Sequence, residues 1–145
     1  MKPLMSSNTA LPEPANALIG RWRVRRVVRD FIGSASCVFA GEALLTEGGF
    51  SEEGEIRVAD RALPASRAYR LERHAGSVVV FRGDELFIRL DDRPSQIVHH
   101  QCGDDSYVGR FIFRDPDEWI EAWRVKGPRK NYASISRFHR LNQSD

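Results

Sequence analysis

Turn signals recur along this chain at intervals too short to hold helices. Gly48-Gly49, Gly83-Asp84, Asp91-Asp92-Arg93-Pro94, Gly103, Asp115-Pro116-Asp117 and Gly127-Pro128 punctuate runs of about 8–12 residues. Within the runs, side chains alternate with a period of two. Trp22, Val24, Arg26 and Val28 share one parity, and Arg21, Arg23, Arg25 and Val27 share the other. That period places the two sets on opposite faces of a strand. The set carrying the tryptophan is expected to face inward. No stretch has the 3.6-residue apolar spacing of a long amphipathic helix.

Strands are expected over 20–28, 33–39, 42–50, weakly over 54–59, and then 66–72, 77–81, 85–90, 96–102, 105–114, 118–125 and 130–141, with Leu63-Pro64-Ala65 as a loop. The Gly83-Asp84 pair between two alternating runs is a two-residue hairpin signal. Consecutive hairpins favour an all-β, up-and-down antiparallel barrel of about 8–10 strands, because closure removes exposed edges. The 145 residues suit one domain. Residues 1–13 are polar and punctuated by proline, so they are expected to be loosely ordered, and residues 14–145 form the barrel. A short helical turn over Pro14–Leu18 is expected to plug the barrel base with Leu18 and Ile19 inward.

Composition narrows the function classes. The net charge is +2, which implies no polyelectrolyte role. The outward arginines Arg21, Arg23, Arg25 and Arg29 read as a solvated face offset by Glu52, Glu53, Glu55 and Asp60, so no nucleic-acid partner is expected. Neither a signal-type run nor a span of about 20 apolar residues is present, so no membrane partner is expected and the location is expected to be cytoplasmic. The two cysteines, Cys37 and Cys102, have no CxxC spacing.

Several blocks carry a resemblance. Gly20-x-Trp22 opens the first strand and Arg140 lies in the last, where the arginine is expected to cover the tryptophan. Gly33-x-Ala35-x-Cys37-x-Phe39, His100-x-Cys102-Gly103-x-Asp105-x-Tyr107-x-Gly109, and the run from Trp123 through Gly127-Pro128-Arg129-Lys130 to Tyr132 complete the pattern. Together they resemble an uncharacterised bacterial family of lipocalin-like (calycin) barrels, over roughly residues 19 to 140. The resemblance implies a barrel with an interior cavity and assigns no activity.

The inward parity carries polar groups that a barrel interior accepts only when they are paired or put to use. The candidate ligand-binding residues are Arg26, Arg67, Tyr69, His100, Tyr107, Trp123, Lys130 and Tyr132. They form either a cavity for an anionic or amphipathic small molecule, or an internal network satisfied by Glu47, Asp105 or Glu121. An enzyme using His100, Tyr107 and Asp105 for acid–base chemistry is the alternative. So is a haem barrel with His100 as axial ligand and Trp123, Phe39 and Phe111 as wall, in the manner of nitrobindin-type barrels. His100 and Cys102 lie on one face of a strand, but a zinc site needs about four ligands, so no metal site is predicted. The sequence assigns no catalytic residue, cofactor or oligomeric state. Residues 1–12 offer too little apolar surface to pack. Deleting them is expected to leave the thermal unfolding midpoint nearly unchanged, and a fall of more than a few degrees in a calorimetric scan would contradict this.

Overall fold

The computed structural model describes residues 17–142. The expected segment 1–13 lies outside them, as does most of the expected turn at Pro14–Leu18. Ten antiparallel strands follow one another: β1 (Gly20–Asp30), β2 (Ala35–Leu45), β3 (Gly49–Val58), β4 (Arg61–His74), β5 (Ser77–Arg82), β6 (Glu85–Asp91), β7 (Ser95–Cys102), β8 (Asp105–Asp115), β9 (Glu118–Lys126) and β10 (Asn131–Arg140). They form a single sheet in the order β6-β5-β4-β3-β2-β1-β10-β9-β8-β7. The first and last strands pair in the middle of that order, with Trp22 opposite Arg140. The sheet curls into a nearly closed, lipocalin-like barrel whose seam lies between β6 and β7. No helix among the described residues is long and apolar enough to cross a membrane.

Sequence and structure differ around Gly41 and Pro64. The runs 33–39 and 42–50 are divided differently: β2 passes straight through Gly41. There Gly41 faces Gly54 of β3, and the backbones approach so closely that a Cβ on Gly41 would lie 2.2 Å from the Glu53 carbonyl oxygen. These glycines permit close strand approach and do not end the strands. The segment Leu63-Pro64-Ala65 is strand, not loop. Pro64 pairs with Glu55 of β3 on one side, while the rungs to β5 run only from Arg70 to His74. The missing N–H of proline therefore costs no rung on the β5 side.

The base of the barrel is aromatic. Trp22 and Phe138 are wholly buried. Trp119 stacks on Phe138 at 3.8 Å between centroids and meets Trp22 edge-on at 6.2 Å. Trp22 Nε1 donates to the Leu18 carbonyl at 2.9 Å, which seats Leu18 in the core. Ile19, expected inward, is exposed, because its carbonyl is turned to accept from Arg140 Nη1 at 3.1 Å.

Arg140 closes this end. Its guanidinium lies 4.4 Å from the Trp22 ring centroid. It also donates to the carbonyls of Ala17 and Pro116 and forms an ion pair with Asp117 at 3.1 Å. One side chain thus ties the entry to β1 to the β8–β9 turn. At the seam, Gln96 is buried and plays a comparable part. It donates to the carbonyls of Asp91 and Arg93 and accepts from the Asp91 N–H at 2.9 Å.

Trp22→Ala is expected to destabilise the barrel by about 3–5 kcal/mol, the cost of emptying a large aromatic site. Arg140→Met keeps the stem over Trp22 but removes the donors, and is expected to cost about 1.5–3 kcal/mol. Urea unfolding followed by fluorescence measures both, and a loss below about 1 kcal/mol for either would remove that residue from the closure.

Candidate functional site

Midway up the barrel, the inward parity of β1, β3, β4 and β9 brings four charges together. Arg26 lies on β1, Glu52 on β3, Arg67 on β4 and Glu121 on β9. Glu52 and Arg67 are directly opposed across the β3–β4 ladder, and Arg26 is opposed to Ser136 of β10. The Glu52 carboxylate accepts two hydrogen bonds from each arginine. Arg26 gives Nη1 and Nη2 at 3.0 and 2.7 Å, and Arg67 gives Nε and Nη2 at 2.8 and 3.1 Å. Such forked pairs are the strong form of the ion pair. Arg26 Nε donates to Ser136 Oγ at 2.6 Å. Arg67 Nη2 reaches Glu121 at 3.3 Å, and Glu121 accepts from Trp123 Nε1 at 2.7 Å.

Two cations and two anions balance within this layer. Burial would push the Glu52 carboxyl up, but the hydrogen bonds and charges of Arg26 and Arg67 outweigh it and hold Glu52 below its usual range. Burial opposes the charge on Arg67, and Glu121, Tyr69 and Glu52 more than restore it, leaving its pKa raised. Of the expected acidic partners, Glu121 meets Arg67 and Asp105 meets Lys130. The Glu47 backbone carbonyl accepts from Arg73 Nε at 3.0 Å. Glu52 does not offset the outer arginines as expected; it is 2% exposed and points inward. Phe50 on the same parity carries the signal that places it there.

Above this layer lies a cavity of about 240 Å³. Arg26, Arg67, Tyr69, Tyr107, Trp123 and Tyr132 line it, six of the sequence candidates. Phe87, Arg82, Val28, Val125 and Ser134 complete the wall. A smaller apolar space of about 90 Å³ lies towards the base and shares Arg67, Tyr69, Phe87 and Trp123 with it. The other two candidates stand behind the lining. Lys130 Nζ donates to the Tyr107 hydroxyl at 2.9 Å and pairs with Asp105 at 3.1 Å. His100 packs its ring edge-on against Phe87 at 4.9 Å and tilts against Tyr107 at 5.7 Å.

The walls are flat aromatic faces. Phe87 stacks with Trp123 at 5.3 Å and with Tyr69 at 5.8 Å. Trp123 can lie there because Gly109 faces it across the β8–β9 ladder; a Cβ on Gly109 would come within 2.7 Å of the indole. The space left by the missing side chain of Gly109 is thus filled by the Trp123 ring. Lys130 is held above the usual ammonium range by its bonds to Tyr107 and Asp105, and burial raises the Tyr132 phenol.

Arg82, at the end of β5, is the residue that alternation alone does not pick out. Its guanidinium lies over Phe87 at 4.3 Å and Tyr107 at 5.5 Å. Among the described residues it has no carboxylate or hydrogen-bond partner, unlike Arg26, Arg67 and Lys130. In the sequence it sits beside the Gly83-Asp84 turn, where a charge ordinarily means solvent.

Glu52→Gln preserves shape but leaves two arginines facing a neutral amide. Breaking a buried pair in this way is expected to cost about 3–5 kcal/mol. The pH dependence has a definite sign, because the folded carboxyl lies below its unfolded value near 4.5. The stability Glu52 contributes is complete above that value and is lost as pH falls through the folded pKa. Urea midpoints taken at falling pH should converge for the wild type and Glu52→Gln. A gap that stays constant would contradict the assignment.

Comparison with known proteins agrees with this architecture. The structure of an S-type phycobiliprotein lyase from Guillardia theta is 13% identical, with a TM-score of 0.57 over 94% of this chain and 95% of that one. A protein of unknown function from the DUF3598 family of Nostoc punctiforme is 12% identical, also at a TM-score of 0.57, over 88% of this chain and 49% of that one. Identities this low establish the fold alone. The sequence matches none of the curated proteins. A family model matches residues 18–140, spanning the strands, the ionic layer and the cavity just described, and the chain belongs to that family, the family of unknown function DUF6314.

Proposed function

We propose that the mouth half of the barrel binds a small, planar, anionic molecule. The observation that carries this is Arg82, a cation on the cavity wall that has no ion-pair or hydrogen-bond partner among the described residues. Arg26, Arg67 and Lys130 nearby are each ion-paired, which leaves the Arg82 guanidinium as the group a ligand anion can engage. A guanidinium fork matches a carboxylate or phosphate, and the Tyr69, Tyr107 and Tyr132 hydroxyls supply further polar contacts. The aromatic side chains Tyr69, Phe87, Tyr107, Trp123 and Tyr132 that line the cavity suit an aromatic ligand body.

Size limits the ligand. About 240 Å³ is below the roughly 300–1,000 Å³ of pockets for drug-sized molecules. That volume argues against haem. The His100 ring also lies outside the cavity lining, packed against Phe87, and is not presented as an axial ligand. The lyase of like fold acts, by its name, on phycobiliproteins, but the ligand class here rests on Arg82 and the aromatic walls.

Binding is favoured over acid–base catalysis by where the acid–base candidates stand: His100 packs against Phe87 outside the cavity lining, and the Tyr107 hydroxyl and the Asp105 carboxylate are both engaged by Lys130. A general acid or base must reach the proton it moves.

The test is tryptophan fluorescence titration with paired aromatic carboxylates and their neutral amides. The carboxylates are expected to bind more tightly. Arg82→Ala is expected to weaken them by about tenfold or more, the size of a charged hydrogen bond, and to leave the amides unchanged. Equal binding of acid and amide, or an unaffected Arg82→Ala, would overturn the proposal.

A further inference from the structure

At the mouth end of the seam, β6 and β7 run side by side without a ladder. Their near ends are held by Gln96, next to the short connection. At their far ends, Glu85 opens β6 and His100 and Cys102 end β7. A Glu85 carboxylate oxygen, a ring nitrogen of His100 and the Cys102 sulfur all lie within 4.8 Å of one another. We infer that these three side chains form a zinc site that clasps the open end of the seam.

The donor chemistry selects the metal. One imidazole, one thiolate and one carboxylate form a mixed N, S, O set that suits a borderline-soft divalent ion, and zinc accepts all three. Zn–N and Zn–O distances of about 2.0–2.2 Å and Zn–S of about 2.3 Å imply ligand atoms about 3.4–3.7 Å apart in a tetrahedron. Closing from 4.8 Å needs a movement of about 1 Å. Glu85 and Cys102 are exposed and free to rotate, and Cys102 is not in a disulfide. Binding displaces the thiol proton to solvent. The charges of Glu85 and the Cys102 thiolate then balance the ion, with His100 neutral. Three protein ligands leave a fourth position for water.

A second observation points to the same place. His100 Nε2 is enclosed and, among the described residues, has no hydrogen-bond partner. An enclosed polar atom left unpaired is costly. The ring is held by Phe87 and Tyr107, so its direction is fixed by packing. Sequence spacing offers only the His100-x-Cys102 pair. The third donor arrives from the neighbouring strand across the seam, where no ladder register predicts it.

The test uses the full chain, stripped with a chelator and titrated with zinc by calorimetry and with cobalt(II) by absorption. About one zinc per chain is expected, with a rise in the thermal midpoint. The cobalt form should show a thiolate-to-metal charge-transfer band that Cys102→Ser abolishes. Losing even an outer partner of a metal ligand costs about 10–100-fold in affinity, so Glu85→Gln and Cys102→Ser are each expected to weaken zinc by at least about tenfold. Both side chains are exposed, so circular dichroism spectra like the wild type's are expected. Three results would overturn the inference: no saturable binding, zinc affinity unchanged in both variants, or a cobalt band that survives Cys102→Ser. Cys102 lies outside the cavity lining, so Cys102→Ser should bind the aromatic carboxylates like the wild type, and failure here is distinguishable from failure of the ligand proposal.

Discussion

The interior of this barrel depends on one carboxylate. Glu52 accepts from two guanidinium groups at once; among the described residues it is the ion-pair partner of Arg26, and it shares Arg67 with Glu121. The layer it organises draws on β1, β3, β4, β9 and, through Ser136, β10. A one-residue slip in any of these strands would turn a charge outward and strand its partner, so the layer fixes register as well as charge. It also divides the interior. Below it the side chains are aromatic and tightly stacked, whereas above it the walls carry hydroxyls and a cation around open space.

That division separates the part of the core that packs solid from the part that encloses open space. Trp22, Trp119 and Phe138 fill the base, where Arg140 holds the ends of the sheet together. The mouth is spared that task, so Phe87, Trp123 and Tyr107 can present ring faces to a cavity. Gln96 seals one end of the seam with its amide, so the residues at the other end are left to do something else.

Much of this was legible in the sequence, and the limits have physical causes. Alternation in Trp22-Val24-Arg26-Val28 placed β1 correctly, and the Gly83-Asp84 hairpin forms where its turn chemistry demands. Of the six candidates that line the cavity, parity places Arg26, Arg67, Tyr69, Tyr107 and Tyr132 inward, and Trp123 comes from its motif. Glu52 was misassigned because it sits in an acidic run with Glu53 and Glu55, which looks like a solvated face; the parity set by Phe50 outweighs that composition. Arg82 and Glu85 flank a turn, and the groups they approach, Tyr107 for one and His100 and Cys102 for the other, are supplied by β7 and β8. Such pairings across strands depend on how the sheet curls, which local alternation does not encode. Gly41 and Pro64 stay inside strands for neighbourhood reasons: Gly41 lets its strand approach Gly54 where no side chain would fit, and Pro64 lies where its far side carries no rung.

The strand order has a consequence for how the chain reaches this state. Every rung except those between β1 and β10 joins strands that are neighbours in sequence, so most of the sheet can assemble as local hairpins. The β1–β10 rungs instead unite the two extremes of the described chain, and loop-closure entropy makes that step the slow one. The Arg140 guanidinium touches the Ala17 carbonyl, so those extremes are already side by side. A circular permutant that links them and begins at Asp92–Pro94 would cut the chain where no ladder exists. It would turn the most distant pairing in the barrel into a hairpin, leave the ten strands in place, and move the entropic bottleneck of folding to another part of the molecule.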